Sequence, residues 1–517
     1  MPEVRVLPLD SLLEEPPYYP PGEEAQNRIH MALMRAEVGN EEDFRTPFLE
    51  RFSRAEGAVF LTQEIGPANW SAFEENDEIE RNNMGPLSVI PPYGERDDSV
   101  RSYWQQDWDP DDRALNTAVE RVAAILPPRS LRPLSYIAAS ARVPRGGNLG
   151  LPELSNRDPF RHDYEERARL LRDVEDVYPC MLFTRGQSSG GPISKARPVW
   201  GMDHAETFLG ARYMYPALDA LRERRGFSAW SGSDAVDVAV SELFARRPSD
   251  VKFSMDFSGL DASVHARLIS IVFGILSSWF TRGGQDLALQ EEIFRTVGIV
   301  TPKGIYVGRS GGVPSGSVWT NLVDTLVCRL AFEYVSARFG LGAPLLECMG
   351  DDALVIWRPS PTLGDVQGAV SELGLRINTS KTLVSEERAH YLQRVHTLEY
   401  NVDGLFRGVR SPYRSLNGMM SLERRRPGWS AAMYSVRWIL QVENCRWDPR
   451  FPAFVEFLAR HDAALSAFRN LDDLPRMAGG VKHVEETLGS TRFSSGGAQL
   501  TGWQSFETIR LLKEFRA

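Results

Sequence analysis

Two apolar segments of this chain run straight into acids, and no other feature restricts its folding so strongly. Val251–Met255 is a short strand-like run that ends on Asp256, and Leu345–Trp357 holds two apolar runs flanking Met349, Gly350, Asp351 and Asp352. Their patterning predicts one strand and one two-strand hairpin with acids at its tip. Ionised carboxylates beside a hydrophobic core are costly unless something pairs or coordinates them. A sheet that lays these strands side by side brings the carboxylates of Asp256, Asp351 and Asp352 together, a cluster that calls for a hard divalent cation. Mg²⁺ takes a few carboxylate oxygens plus substrate phosphates. Two such ions about 3.5–4 Å apart stabilise both the attacking and the leaving oxygen of an in-line displacement on phosphorus. An ordinary hairpin turn also explains a lone Gly-Asp-Asp, so the surroundings must decide.

Those surroundings are patterned. Ala262–Phe280 is apolar at helical spacing, and Ser317–Phe339 predicts a long helix opened by small residues. Leu363–Leu373 predicts a helix, Leu375–Ile377 a brief strand and Asn401–Gly404 a turn; beyond about Ser411 the pattern is helical. Pro16, Pro17, Pro20 and Pro21 around two tyrosines predict an extended arm. Arg145–Pro152, Gln187–Gly191 and Ser494–Gly497 are glycine- or serine-rich loops, the last followed by Trp503. No internal repeat of solenoid length is present.

At 517 residues and 42% hydrophobic content the chain can bury a large core and divide into two or three subdomains. The four cysteines are scattered, which argues against a disulfide framework or a zinc site and fits a reducing compartment. No apolar stretch approaches the roughly 20 residues needed to span a bilayer, and the acids and prolines after Met1 do not make a signal peptide. The net charge of −10 excludes a protein that coats nucleic acid with its whole surface. Any such site must be a local channel. Two segments concentrate positive charge: Val177–Met202, with Arg185, Lys195 and Arg197 and no acid, and Leu405–Arg426, with six arginines against Glu423. Each, alone, is equally well a solvated face.

Asp256 and Asp261 stand five apart at the end of a strand. Gly312–Gly316, then Thr320 and Asn321, form a loop entering a helix, and Gly350-Asp351-Asp352 follows. In this order the segments resemble motifs A (D-x4-D), B (SG-x3-T) and C (GDD) of the viral RNA-dependent RNA polymerases. The style of motif B looks most like the picobirnavirus and partitivirus group of double-stranded RNA viruses. Lys195–Trp200 resembles the basic motif F, Asn148–Pro152 resembles motif G, Lys381 stands where a motif D lysine would, and His396–Arg410 occupies the place of the motif E hairpin. Together these cover about half the chain.

The resemblance implies roles. Asp256 and Asp351 would be paired ligands of two Mg²⁺ (or Mn²⁺) ions, with Asp352 a supporting acid and the Phe257 carbonyl a further ligand. Lys195 and Arg197 would contact the triphosphate, for which a guanidinium offers a planar fork and an ammonium a mobile point charge. Lys381 would protonate leaving pyrophosphate, though a lone lysine is as readily a solvated one. Choice of ribose over deoxyribose needs a polar group at the 2′-hydroxyl; Asp261, Ser315 and Asn321 are candidates, with Thr320 beside them. The commonest motif B has Asn four residues after its Thr, where this chain has Asp324, so either Asn321 or Asp324 is the partner of Asp261. Gly316 lets the loop bend close to the template base.

The implied fold is α+β, a right hand with a small antiparallel palm sheet flanked by helices. An N-terminal arm (1–60) bridges fingers and thumb; fingers with early palm segments occupy 61–250, the palm 251–400 with a fingers insertion at about 282–310, and the thumb with a C-terminal loop 401–517. Expected partners are RNA template, nascent strand, nucleoside triphosphates and viral capsid protein, in the host cytoplasm inside the particle. The loop near Ser495 would support primer-independent initiation. A reverse transcriptase shares the two-acid hairpin but favours a tyrosine-rich motif and an aromatic residue against the 2′-hydroxyl, where this chain has Met349, Gly350 and Asp261. A noncatalytic, capsid-associated RNA-binding protein is the alternative of another class; the intact acids argue against such decay.

Overall fold

The computed structural model describes residues 4–14, 22–144, 147–155, 158–462, 465, 468, 470–480 and 500–515. Pro16–Pro21 and the Ser494–Gly497 loop lie outside the described residues. In chain order the strands are β1 (Arg5–Leu7), β2 (Cys180–Gln187), β3 (Lys195–Gly201), β4 (Lys252–Met255), β5 (Ile299–Thr301), β6 (Gly304–Val307), β7 (Leu345–Met349), β8 (Asp352–Ile356), β9 (Leu383–Ser385), β10 (Arg388–Tyr391) and β11 (Arg394–Thr397).

The two acid-tipped segments lie in one small antiparallel sheet of order β7-β8-β4-β9. Met255 opposes Ala353 and Met349 opposes Asp352, so the end of β4 lies level with the β7–β8 turn. That register follows from side-chain alternation: a one-residue slip would turn Phe253 and Val355 away from the core. Behind the sheet runs the Thr320–Arg338 helix, buried on almost every side from Leu322 to Ser336, which explains why apolar residues occupy most of its faces, with Asp324 and Glu333 buried among them. Its buried hydroxyls are satisfied: Ser336 donates to the Phe332 carbonyl at 3.1 Å and accepts from Trp357 Nε1 at 2.9 Å.

A second sheet has the order β1-β6-β5-β2-β3, with β2 and β5 parallel and its other pairs antiparallel. Its first strand comes from the extreme N-terminal segment. The same segment, farther on, bridges Arg45 to Ser421, and Thr46 N–H donates to the Met420 carbonyl at 3.2 Å. The Arg54–Ile65 helix then packs with the Ala431–Glu443 and Phe451–His461 helices in a separate apolar core. Trp503, expected beside an exposed loop, belongs to that core and donates Nε1–H to the Leu471 carbonyl at 2.9 Å.

Three local expectations change. Leu375–Ile377 is no strand: Ile377 alone bridges Phe257. The hairpin expected over His396–Arg410 is formed earlier, by β10 and β11, and the later residues return through a single Val395–Val409 bridge. Three of the Leu405–Arg426 arginines are held by acids from elsewhere in the chain, while Arg424 and Arg425 remain exposed. Arg414 pairs with Glu80 at 2.8 Å, Arg425 with Glu42, and Arg407 lies 3.5 Å from buried Asp237 and over the Trp447 ring. The cysteines are free and buried among the described residues, and no described helix is long and apolar enough to cross a membrane.

Candidate active site

Asp256 leaves β4 at the edge of the apolar core. Asn378 holds it twice, by Nδ2–H to Oδ2 at 2.8 Å and by backbone N–H to the Asp256 carbonyl at 2.7 Å. The neighbouring bond, from Ser258 N–H to the Arg376 carbonyl, completes the bridge without using the Phe257 carbonyl. Burial raises the Asp256 carboxyl; the Lys381 ammonium opposes that shift and the Asp351 charge adds to it. Asp352 is pushed up to about 7 by burial and then by Asp351 and Asp256. Asp261 rises to about 6 through burial and Asp351, opposed by Arg197. Burial, with Arg197 and Lys381 nearby, lowers the Lys195 ammonium while Asp256 raises it. The acids of β4 and the β7–β8 turn, the two basic side chains of β3 and Lys381 thus share one electrostatic neighbourhood.

The acids do not make a finished cage. Among the described residues no group of three or more His, Cys, Asp and Glu side chains is arranged to hold a metal ion. The three carboxylates expected to converge still feel one another's charge, Asp351 raising both Asp256 and Asp352. The donor set nevertheless fits Mg²⁺. It consists of hard oxygens in partly buried places, where burial and then the neighbouring acids raise Asp256 and Asp352, and Mg²⁺ fills much of its shell with water and phosphate oxygens.

β3 brings Lys195 and Arg197, both exposed, to the site. Arg197 sits directly opposite Arg185 on β2. Like charges facing each other across strands cost stability, and the pair concentrates positive charge as an anion site requires.

The Gly312–Ser317 loop is tied to both sides. Gly312 N–H donates to the Val264 carbonyl at 2.7 Å and Val313 N–H to the Asp261 carbonyl at 2.6 Å. Ser315 Oγ donates to the Pro198 carbonyl and accepts from Trp200 N–H, each at 3.3 Å. A Cβ on Gly316 would stand 1.9 Å from the Trp200 carbonyl oxygen. What Gly316 avoids in this structure is the β3 backbone, where the sequence suggested a template base. Thr320 Oγ1 donates to the Pro314 carbonyl at 2.8 Å, closing the loop onto the helix. Asn321 is exposed, whereas Asp324 is buried at 6% exposure with Oδ1 unpartnered. At the other end of this contact, Gly350 N–H donates to Thr325 Oγ1 at 2.9 Å and so fastens the acid turn to the helix.

Ser317 Oγ reaches back to Glu206 at 3.0 Å. Glu206 is fully buried, and burial pushes its carboxyl up to about 8 from 4.5. In the unfolded chain this group ionises near its ordinary value, so its contribution to stability is greatest below about pH 4.5, declines as pH rises, and is flat above about 8. Glu206→Gln should raise stability at pH 8 on the order of 2 kcal/mol and flatten the dependence between pH 5 and 8; denaturant midpoints across that range check it.

Sequence reasoning missed Asn378, Thr325 and Trp230, whose Nε1–H donates to Asn321 Oδ1 at 2.7 Å. Asn378 lies three residues before Lys381 in a polar turn, a usable signal; Trp230 has no local signal at all.

Residues 192–416 match the family model described as viral RNA-dependent RNA polymerase. The chain is 27% identical over 450 residues to a potential RNA-dependent RNA polymerase of human picobirnavirus, covering 82% of this chain and 83% of that one. It is 26% identical over 361 residues to an RNA-directed RNA polymerase of Cryptosporidium parvum virus 1, covering 63% and 64% respectively. The crystal structure of a human picobirnavirus RNA-dependent RNA polymerase superposes with a TM-score of 0.81 at 24% identity over 98% of this chain and 99% of that one. An insertion-loop deletion mutant of such an enzyme gives 0.78. Motif order, the register that sets Asp256 level with the Asp351–Asp352 turn, and these matches all mark the chain as similar to the viral RNA-dependent RNA polymerases.

Proposed function

We propose that the chain copies an RNA template for a double-stranded RNA virus, joining ribonucleotides to an RNA 3′ end at the acids of β4 and the β7–β8 turn. The observation that carries this reading is the convergence of opposite charges: Asp256, Asp351 and Asp352 on one sheet face Lys195, Arg197 and Lys381 from other elements. In a right-hand description the β7-β8-β4-β9 sheet is the palm, the five-stranded sheet and its helices are the fingers, and the helices after about residue 400 are the thumb. The described part of residues 1–60 would be the arm between the last two.

Asp256 and Asp351 would hold the divalent ions, with Asp352 and the Phe257 carbonyl in support. Ions bound there would supply polarisation of the α-phosphate and stabilisation of the attacking and leaving oxygens. The chain's own groups do the rest. Lys195 and Arg197 bind and orient the triphosphate, as charge-assisted donors on a rigid strand. Lys381 holds a proton within reach of the leaving pyrophosphate. Asn378 fixes the Asp256 carboxylate, while Ser315, Gly316 and Thr320 set the loop beside which the new base pair forms. Asp261 and Asn321 meet the sugar. Viral capsid protein as a partner, and residence inside the particle in host cytoplasm, belong to the same proposal.

The test is extension of a primed RNA template. Ribonucleotides should be incorporated with Mg²⁺ or Mn²⁺, chelation should stop the reaction, and added metal should restore it. Incorporation that survives full chelation would contradict the assigned chemistry.

A further inference from the structure

Strand β7 carries a buried acid before the turn it leads into. Glu347 Oε1 accepts from Gly226 N–H at 3.0 Å, and Oε2 accepts from Ser228 N–H at 3.0 Å and Ser228 Oγ at 2.6 Å. These bonds pin the short Ser228–Ser231 turn against the strand, and Cys348 N–H adds a bond to the Gly226 carbonyl at 3.1 Å. Within the turn, Trp230 lies parallel to fully buried Phe227, with centroids 5.5 Å apart and planes 5° from parallel. The indole plane is therefore set by packing and by the Glu347 anchor together.

Trp230 Nε1 donates to Asn321 Oδ1 at 2.7 Å. An indole N–H only donates, so the amide must turn its oxygen towards the ring and its NH₂ away. That NH₂ lies beside the acid turn: Nδ2 is 3.8 Å from where a Cβ on Gly350 would stand. Asn321 is exposed at this place while Asp324, the other candidate, is buried. A substrate can reach the first and not the second.

We infer that Trp230 is a positioning residue for sugar selection: it locks the Asn321 amide so that its NH₂ donates to the 2′-hydroxyl oxygen of the incoming ribonucleotide. This rests on the polymerase reading given above. A deoxyribonucleotide lacks that oxygen and leaves an oriented donor without a partner, the situation in which a polar site discriminates most strongly. Without the indole N–H the amide is free to flip, and its oxygen, which cannot donate, spends part of the time at the sugar.

The experiment is single-nucleotide extension by the full chain, comparing kcat/KM for ribo- and 2′-deoxyribonucleoside triphosphates. Trp230→Phe keeps the ring and its stacking on Phe227 but removes the N–H. It should lower the ribose preference about tenfold, through a higher KM for the ribonucleotide with the deoxyribonucleotide constants unchanged. Asn321→Ala should lower it as much, and the double variant no further. Trp230→His, which restores a ring donor, should recover part of the preference. A wild-type ribose preference in Trp230→Phe, alongside a loss in Asn321→Ala, overturns the role of Trp230 alone. Full preference in both variants overturns Asn321 as the sugar reader as well, with the polymerase reading intact. No incorporation by the unaltered chain overturns both readings. Should Trp230→Phe fail to fold, Asn321→Asp decides: it keeps an acceptor for Trp230 and loses the NH₂, so a retained ribose preference refutes the inference.

Discussion

Asp351→Asn is expected to reduce ribonucleotide incorporation by about 10³-fold or more, some 4 kcal/mol of transition-state stabilisation, without unfolding the protein. The change keeps shape and removes one negative charge from a turn where that charge raises Asp352, Asp261 and Asp256. Relief of repulsion should leave the melting temperature unchanged or slightly higher, the usual signature of a site arranged for function against stability. Primed extension and a thermal melt on the same preparation check both halves. A variant that incorporates at the wild-type rate would remove Asp351 from the chemistry. A variant that merely unfolds would point to a structural acid.

Gly316→Ala is expected to lower kcat/KM about 100-fold and stability by about 1–3 kcal/mol. The new methyl group would meet the Trp200 carbonyl oxygen at 1.9 Å and its carbon at 3.0 Å, both backbone atoms. Trp200 cannot yield, being fully buried, with Arg309 over its ring and Trp104 stacked 6.3 Å away. The loop must therefore leave β3, breaking both Ser315 contacts and shifting Thr320 and Asn321 with it. Gly274→Ala is the control, since a Cβ there meets nothing within 4 Å inside a helix. It should stabilise by up to about 1 kcal/mol at unchanged activity. Equal behaviour of the two variants in steady-state kinetics and denaturant melts would refute the argument.

The legible parts of this fold are those whose signal is local. β4, β7 and β8 were readable because apolar alternation stops abruptly at acids, and the Thr320–Arg338 helix because burial on every side leaves an apolar stretch too long for a strand. The hairpin of β10 and β11 was misplaced for a physical reason. Its turn is made by Leu392 and Gln393, both at positive φ (52° and 60°) without a glycine. The sequence advertises the Asp403–Gly404 turn, also at positive φ, whose arms pair only at Val402 and Leu405. Glycine marks where such a turn is cheap; packing of Ala389, Tyr391 and Val395 in buried clusters decided where it forms. The arginine run was opaque because its acids, Glu42, Glu80 and Asp237, lie far away in the chain. At the site the motif residues were visible, whereas their supports were not. Asn378, Thr325 and Trp230 make one or two hydrogen bonds each to residues distant in the chain, and no spacing rule reports those.

The N-terminal segment pairs with Gly304–Val307 at one end and with Ser421 at the other, and Arg185 meets Glu423 across the same gap at 3.3 Å. Such a belt limits how far the two halves can swing apart. On the proposed reading, in which a nucleic acid strand runs between the parts these contacts join, the strand would have to be threaded in by its end, like a cord through an eyelet, and would not slip out sideways between rounds of addition.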